Sequence, residues 1–174
     1  MQQLIICGIA THQPQLLTHV SKAILDCGGH ITDSRVTVFG HALLLNLQVT
    51  GSWDVIVKIE NLLPRLKTQY EFNVLSARTE AKPVVLDVMP YAIEVIALYD
   101  PKLVYELCQF FSSRNINIEE LISQRYVPNQ TNTLMYSIAM TVYIPKDDSI
   151  VQLRGEFMEF CDDLNLDAIM APTK

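Results

Sequence analysis

Residues 27–53, CGGHITDSRVTVFGHALLLNLQVTGSW, constrain the fold more than any other stretch of the chain. Gly28 and Gly29 suit the left-handed close of a helix. Ile31 to Phe39 is rich in β-branched residues, which predicts a strand. Gly40 and His41 supply a turn. From Ala42 to Thr50 the residues alternate, with Leu43, Leu45, Leu47 and Val49 on one face and Leu44, Asn46 and Gln48 on the other. Gly51 and Ser52 end that strand, and Ser52 is placed to cap the next helix. A hairpin held between two helices is the middle of a β-α-β-β-α-β unit. A strand and a helix must then precede it, and a strand must close it.

Both flanks meet that demand. Residues 3–10, QLIICGIA, form an apolar run suited to a central strand. Thr11 to Gln15 is a polar break in which Pro14 fits a first helical turn. Leu16, Leu17, Val20, Ile24 and Cys27 then recur at helical spacing. After Ser52, Val55, Ile56, Ile59, Leu62, Leu63 and Leu66 mark a second amphipathic helix, with Pro64 predicting a kink or an early end. Glu71 to Ala77 reads as the closing strand. The first unit is expected over residues 1–78 and a linker over 79–89, TEAKPVVLDVM, with Val84, Val85 and Leu86 docking on a surface.

The pattern then returns over residues 90–174. Tyr91 to Leu98 is a strand, Asp100-Pro101-Lys102 a break, and Leu103, Val104, Leu107, Phe110 and Phe111 a helical stripe. Asn115 to Ile118 ends that helix and opens a strand. Residues 127–133 form a turn-rich loop, and Leu134 to Ile144 is the next strand. A helix follows with Ile150, Leu153, Phe157, Phe160 and Leu164 inward and Asp147 or Asp148 as its cap. Leu166 to Met170 is the last strand. The fold class is therefore α+β: two ferredoxin-like βαββαβ units, each an antiparallel sheet with helices on one face. The other face carries side chains such as Leu44 and Asn46. Pairing of sheets, within the chain or in a homo-oligomer, or a protein partner would cover it.

Composition narrows the function. An apolar fraction of 49% and a charged fraction of 18% exclude a disordered chain. No apolar run is long enough to span a bilayer and no signal segment is visible, so a cytoplasmic protein with no membrane association is expected. Residues 1–88 carry 7 basic and 7 acidic side chains, and residues 89–174 carry 6 and 12. That balance argues against direct binding of nucleic acid, which needs lysine and arginine against phosphate. An acidic face in the second half either meets a basic partner or is simply solvated. Cys7, Cys27, Cys108 and Cys161 form no CxxC pair and read as buried, reduced thiols. No Cys/His cluster suits a metal, and no cofactor is implied.

A proline break after strand 1, and Asn-Ile or similar opening strand 2, resembles the ACT domain, a regulatory module many of whose members bind amino acids between paired copies. Two stretches, CGGHITDSRVTVFGHALLLNLQVTGSW and DPKLVYELCQFFSSRNINIEELIS, resemble the bacterial glycine cleavage system transcriptional repressor family. Asp33-Ser34-Arg35 and Gly51-Ser52-Trp53 follow that family's pattern. The resemblance implies a protein without its own DNA-binding domain. It would restrain the DNA-binding activator of the glycine cleavage operon by contact, with glycine or another small amino acid relieving the restraint. An amino-acid-binding module serving a different regulator or an enzyme is the alternative.

Ligand-binding ACT domains usually carry Asp-Arg-Pro-Gly after strand 1. Here the matching residues are His12-Gln13-Pro14-Gln15, and Tyr99-Asp100-Pro101-Lys102 in the second unit, both without the glycine. An amino acid would need polar partners at that loop and at the start of strand 2. The candidates are Thr11, His12, Gln13, Gln15 and His30 in the first unit, and Asp100, Lys102 and Asn117 in the second. Asp100 suits an ammonium and Lys102 a carboxylate; the plainer alternative is exposed loop residues. Asp33 and Arg35 shape either the turn into strand 2 or an interface. Trp53 either packs on the adjoining strand or serves as a partner contact. His19 and His41 read as surface residues. Catalysis is not expected: no nucleophile-base pair or HExxH is present, and neither loop has the arginine that a resemblance to acylphosphatase-like hydrolases would require.

Overall fold

A computed structural model of the chain describes residues 1–80, 87–129 and 131–173. The chain divides into two compact units, Met1–Pro83 and Val84–Lys174. The first runs β1 (Gln2–Thr11), α1 (Leu16–Asp26), β2 (His30–Phe39), β3 (Ala42–Gly51), α2 (Trp53–Tyr70) and β4 (Asn73–Thr79). The second runs β5 (Val88–Leu98), α3 (Leu103–Ser112), β6 (Asn117–Tyr126), β7 (Met135–Pro145), α4 (Ile150–Asp163) and β8 (Asp167–Pro172). Each unit is a four-stranded antiparallel sheet, ordered β2-β3-β1-β4 and β6-β7-β5-β8. The expected βαββαβ repeat is thus borne out. Most of the expected linker, including Val84, Val85 and Leu86, lies outside the described residues.

Each unit has its own core between its two helices and one sheet face. In the first, Leu4, Ile6, Leu45 and Leu47 meet Val20, Ile24, Ile56 and Ile59. In the second, Ile93, Val95, Met140 and Val142 meet Leu107, Phe111 and Phe157. The period of two along each strand sends every other side chain to that core. Both units also share a register shift at the start of their second strand, between Ile31 and Asp33 and between Ile118 and Glu120. Such a bulge twists an edge strand and discourages further pairing.

Each helix among the described residues ends in the same way. A residue with positive φ follows each: Gly28, Glu71, Asn115 and Asn165. The next amide then reaches back to a helix carbonyl, as Gly29 N–H does to Ile24 O at 3.0 Å and Ile116 N–H to Phe111 O at 3.0 Å. That is the pattern of a Schellman close.

Several local expectations are corrected. Helix α2 passes through Pro64 to Tyr70, because Ile56, Ile59, Leu63 and Leu66 bury its face on both sides of the proline. Ser52 occupies the N-cap position of α2, but its hydroxyl donates to the Asp54 carboxylate instead of capping a backbone amide. In α4 the cap is Ser149, whose hydroxyl accepts from Gln152 N–H at 3.3 Å, and not Asp147 or Asp148. Leu164 is exposed at the end of α4, and Cys161 takes the inward position. All four thiols are free, yet only Cys161 is buried; Cys7, Cys27 and Cys108 are half-buried. Burial, with Asp162 nearby, pushes the Cys161 thiol up to about 11.

Candidate ligand and partner surfaces

The residues expected to hold a small amino acid fall into two groups at opposite ends of each sheet. Thr11 ends β1 and pairs with Ala42, which pairs with Phe39. His30 begins β2 and pairs with Thr50, which pairs with Gln3. Eight residues of β1 separate these two rows, roughly 26 Å at about 3.3 Å per residue. The second unit repeats the arrangement: Leu98, Met135 and Tyr126 form one row, and Asn117, Tyr143 and Pro90 the other. The loop and the start of the second strand therefore do not meet within a unit.

The loops themselves are held by local bonds. His12 N–H donates to His41 O at 2.9 Å, fastening the β1–α1 loop to the β2–β3 turn. Beside it, Thr11, Phe39, His41, Glu71 and Asn73 line an open cleft of about 450 Å³. Gln13 O accepts from Leu16 N–H at 3.2 Å, and Gln15 stands at the N-cap of α1 without a side-chain cap. In the second loop, Lys102 N–H donates to Asp100 Oδ1 at 2.8 Å. Asp100 is thus drawn into its own turn, while Lys102 stands exposed at the N-cap of α3.

Asp33 and Arg35 lie elsewhere. Strand register places them opposite Gln48 and Asn46, whose neighbours on β1 are Ile5 and Cys7. Arg35 Nη1 pairs with Asp33 Oδ1. The pair borders a hollow of about 140 Å³ with Ile5, Asn46 and Gln48, on the sheet face away from the helices. That face continues through Ile9, Leu44 and Leu75, with Ile9 51% and Leu75 79% exposed. The alternation in β3 already put Asn46 and Gln48 on this face; the register joins them to the ion pair. Trp53 opens α2 and is 62% exposed, so packing on the adjoining strand does not bury it. His19, expected at the surface, is half-buried: its ring stacks on Tyr70 with centroids 5.1 Å apart.

Beside Trp53, the Ser52 hydroxyl holds the Asp54 carboxyl below its ordinary range, with Lys58 adding to the effect. Arg78 does the same for Glu60 through a two-bond pair at 2.7 and 2.8 Å. Among the described residues, no group of three His, Cys, Asp or Glu side chains is placed to hold a metal ion. Nor is any described helix long and apolar enough to cross a membrane.

A family model for the ACT domain matches residues 2–75. The glycine cleavage system transcriptional repressor of Escherichia coli K12 is 24% identical over 164 residues, covering 93% of this chain and 85% of that protein. The repressor of the same name from Shigella flexneri matches to the same extent. A crystal structure provisionally assigned as a glycine cleavage system transcriptional repressor superposes with a TM-score of 0.73 at 25% identity, covering 99% of this chain and 98% of that one. A protein of unknown function from Galdieria sulphuraria shares the fold, with a TM-score of 0.78 at 14% identity and 99% coverage of both chains. These names are regulatory and not enzymatic, in line with the non-catalytic reading. The chain is a tandem of two ACT-like βαββαβ units, the first of them matched by the ACT domain model and nearly the whole length similar to glycine cleavage system transcriptional repressors.

Proposed function

We propose that this protein represses glycine cleavage genes in the cytoplasm by binding a DNA-binding activator, and that a small amino acid, glycine first among them, releases the activator. The observation that carries the reading is the similarity to the Escherichia coli repressor over 93% of the chain and 85% of that protein. The two units absorb the described residues without a basic stripe, which favours action through a partner and not through direct DNA contact.

The ligand end of the reading draws on two copies of the chain. Thr11, His12, Gln13 and Gln15 stand about a sheet's length from His30, as Asp100 and Lys102 do from Asn117. A site using both groups brings the loop of one copy of the chain to the strand start of a second copy. Asp33, Arg35 and Trp53 are the interface candidates, since all three are exposed. The loops without glycine favour a second reading of the ligand alone: the repressor role holds and a different amino acid is sensed.

The test is affinity capture from lysate with the tagged full chain, with and without glycine, and mass spectrometric identification of the retained protein. Recovery of the glycine cleavage activator, lost on adding glycine, is the expected result. Recovery that ignores glycine removes that ligand and keeps the role. Recovery of a different regulator or enzyme instead overturns the repressor role in favour of a module with another client.

A further inference from the structure

The second unit carries a groove of about 440 Å³ between α3 and α4, on the side of the helices away from the sheet. Its floor is aromatic, with Phe110 and Phe160 centroids 4.9 Å apart. Its walls are acidic: Glu106 on α3, and Glu156, Glu159 and Asp163 on α4. One cation is already seated there. Arg114 lies with its guanidinium carbon 3.8 Å from the Phe110 ring centroid, and its Nε donates to Glu156 Oε2 at 2.9 Å. Gln152 and Arg114 together hold the Glu156 carboxyl below its ordinary range. Among the described residues, Glu106, Glu159 and Asp163 have no ion-pair partner.

The first unit shows that the fold does not require this chemistry. Counting from the matching helix starts and from the left-handed residues Glu71 and Asn165, Ala23 replaces Phe110 and Leu66 replaces Phe160. His19, Arg65 and Gln69 stand where the second unit has Glu106, Glu159 and Asp163. Four of the second half's acidic residues thus gather with one arginine on one aromatic-floored groove.

We propose that the α3–α4 groove docks a basic, arginine-bearing segment of a protein partner. Arg114 shows the mode within the chain: a guanidinium laid on a phenylalanine ring and held by a carboxylate. A partner's arginine would lie on the exposed part of Phe160, with Glu159 and Asp163 as its acceptors and Glu106 facing the next cation along the segment. Charge complementarity selects the occupant, because three unpaired carboxylates around an apolar floor reject an acidic or purely apolar segment. That the partner is the glycine cleavage activator rests on the function proposed above; the chemistry of the segment rests on the groove alone.

The test uses the full chain and a fluorescent helical peptide with arginines on one face, read by anisotropy at low and at physiological salt. Glu159→Lys with Asp163→Lys reverses two exposed groove walls. Glu94→Lys with Asp167→Lys makes the same charge change on the opposite face of the unit's sheet. The groove pair is expected to weaken the peptide by about tenfold or more and the control pair by about twofold or less. A milder variant, Glu159→Gln with Asp163→Asn, is expected to fall between them and guards against misfolding of the reversal. Equal losses from the groove and control pairs, or no binding by the parent protein, overturn the proposal. The purified activator is then assayed with the same variants. Failure of the activator to bind the parent chain while the peptide result holds would remove the repressor reading and leave the groove's specificity standing.

Discussion

Beside the residue that follows the second helix, the first unit places Gly8 on its sheet, and an added Cβ there would meet the Phe72 ring at 1.9 Å. The second unit has Val95 and Leu166 at the corresponding places, fixed by the pairings Gly8 with Val74 and Val95 with Ala168. One unit puts the bulk on the connection, the other on the strand. The helix layers differ in the same sense. The second unit packs Phe110, Phe111, Phe157 and Phe160 together, whereas the first has Ala23, Ile24, Leu63 and Leu66 at those positions. What the two share is the period of burial and the places where the chain turns. Volume can be redistributed under that plan so long as the interior stays filled. The outward positions differ more: Glu106, Glu159 and Asp163 of the second unit stand where the first has His19, Arg65 and Gln69.

The largest expected effect tests the aromatic layer. Phe157 is fully buried, with ring centroids of Phe110 at 5.4 Å and Phe111 at 5.5 Å. Phe157→Ala should cost about 3–5 kcal/mol, and Phe157→Leu, which installs the first unit's residue, clearly less. Hydrogen exchange resolved by peptide can assign the loss to the second unit during urea unfolding. A loss below about 1 kcal/mol for the alanine variant would mean that the layer collapses freely around the gap, and the contrast with the aliphatic unit would lose its content.

A somewhat smaller effect tests the exchange at Gly8. Gly8→Ala forces the Phe72 ring to move and should destabilise the first unit by about 2–3 kcal/mol, at the upper end for overpacking. Adding Phe72→Leu, the counterpart of Leu166, should return more than half of that loss. The double variant is therefore non-additive, and thermal unfolding of the four proteins of the cycle measures the coupling. Additive losses would show that the two positions do not share one volume.

Much of the repeat was legible from period and punctuation. Alternation in Ala42–Thr50 and the apolar stripes of the four helices announced which faces are buried, because burial imposes those periods. The early end that Pro64 allowed does not occur, because tertiary packing outweighs the local cost of a proline inside α2. Ser149 was passed over for its acidic neighbours, since either chemistry suits an N-cap and only geometry chooses. The separation of the two groups of candidate ligand residues was not legible from residue type. β1 and β2 both run antiparallel to β3, so the loop after β1 and the start of β2 must lie at opposite ends. Topology alone carries that conclusion, and reading candidate residues by type does not. The groove on α3 and α4 showed in the sequence only as an excess of acidic residues in the second half.

The smallest expected effect concerns the closes of the helices. Gly28, Asn115 and Asn165 are residues that tolerate the left-handed region, whereas the first unit asks Glu71 to hold φ at 50°. An L-residue with a full side chain pays about 1–2 kcal/mol for that conformation. Glycine removes the steric part but brings a more flexible unfolded chain, so Glu71→Gly should stabilise the first unit by a net of about 0.5–1 kcal/mol. Glu71→Asn, which installs the second unit's residue, should gain about half as much. The amide of Phe72 reaches Lys67 O at 3.1 Å in this close, and neither substitution removes that bond. A melting midpoint higher by a few degrees is the expected reading for the glycine variant. A lower midpoint would mean that the exposed Glu71 side chain contributes more than its backbone costs, and the two units would then close their second helices for different reasons.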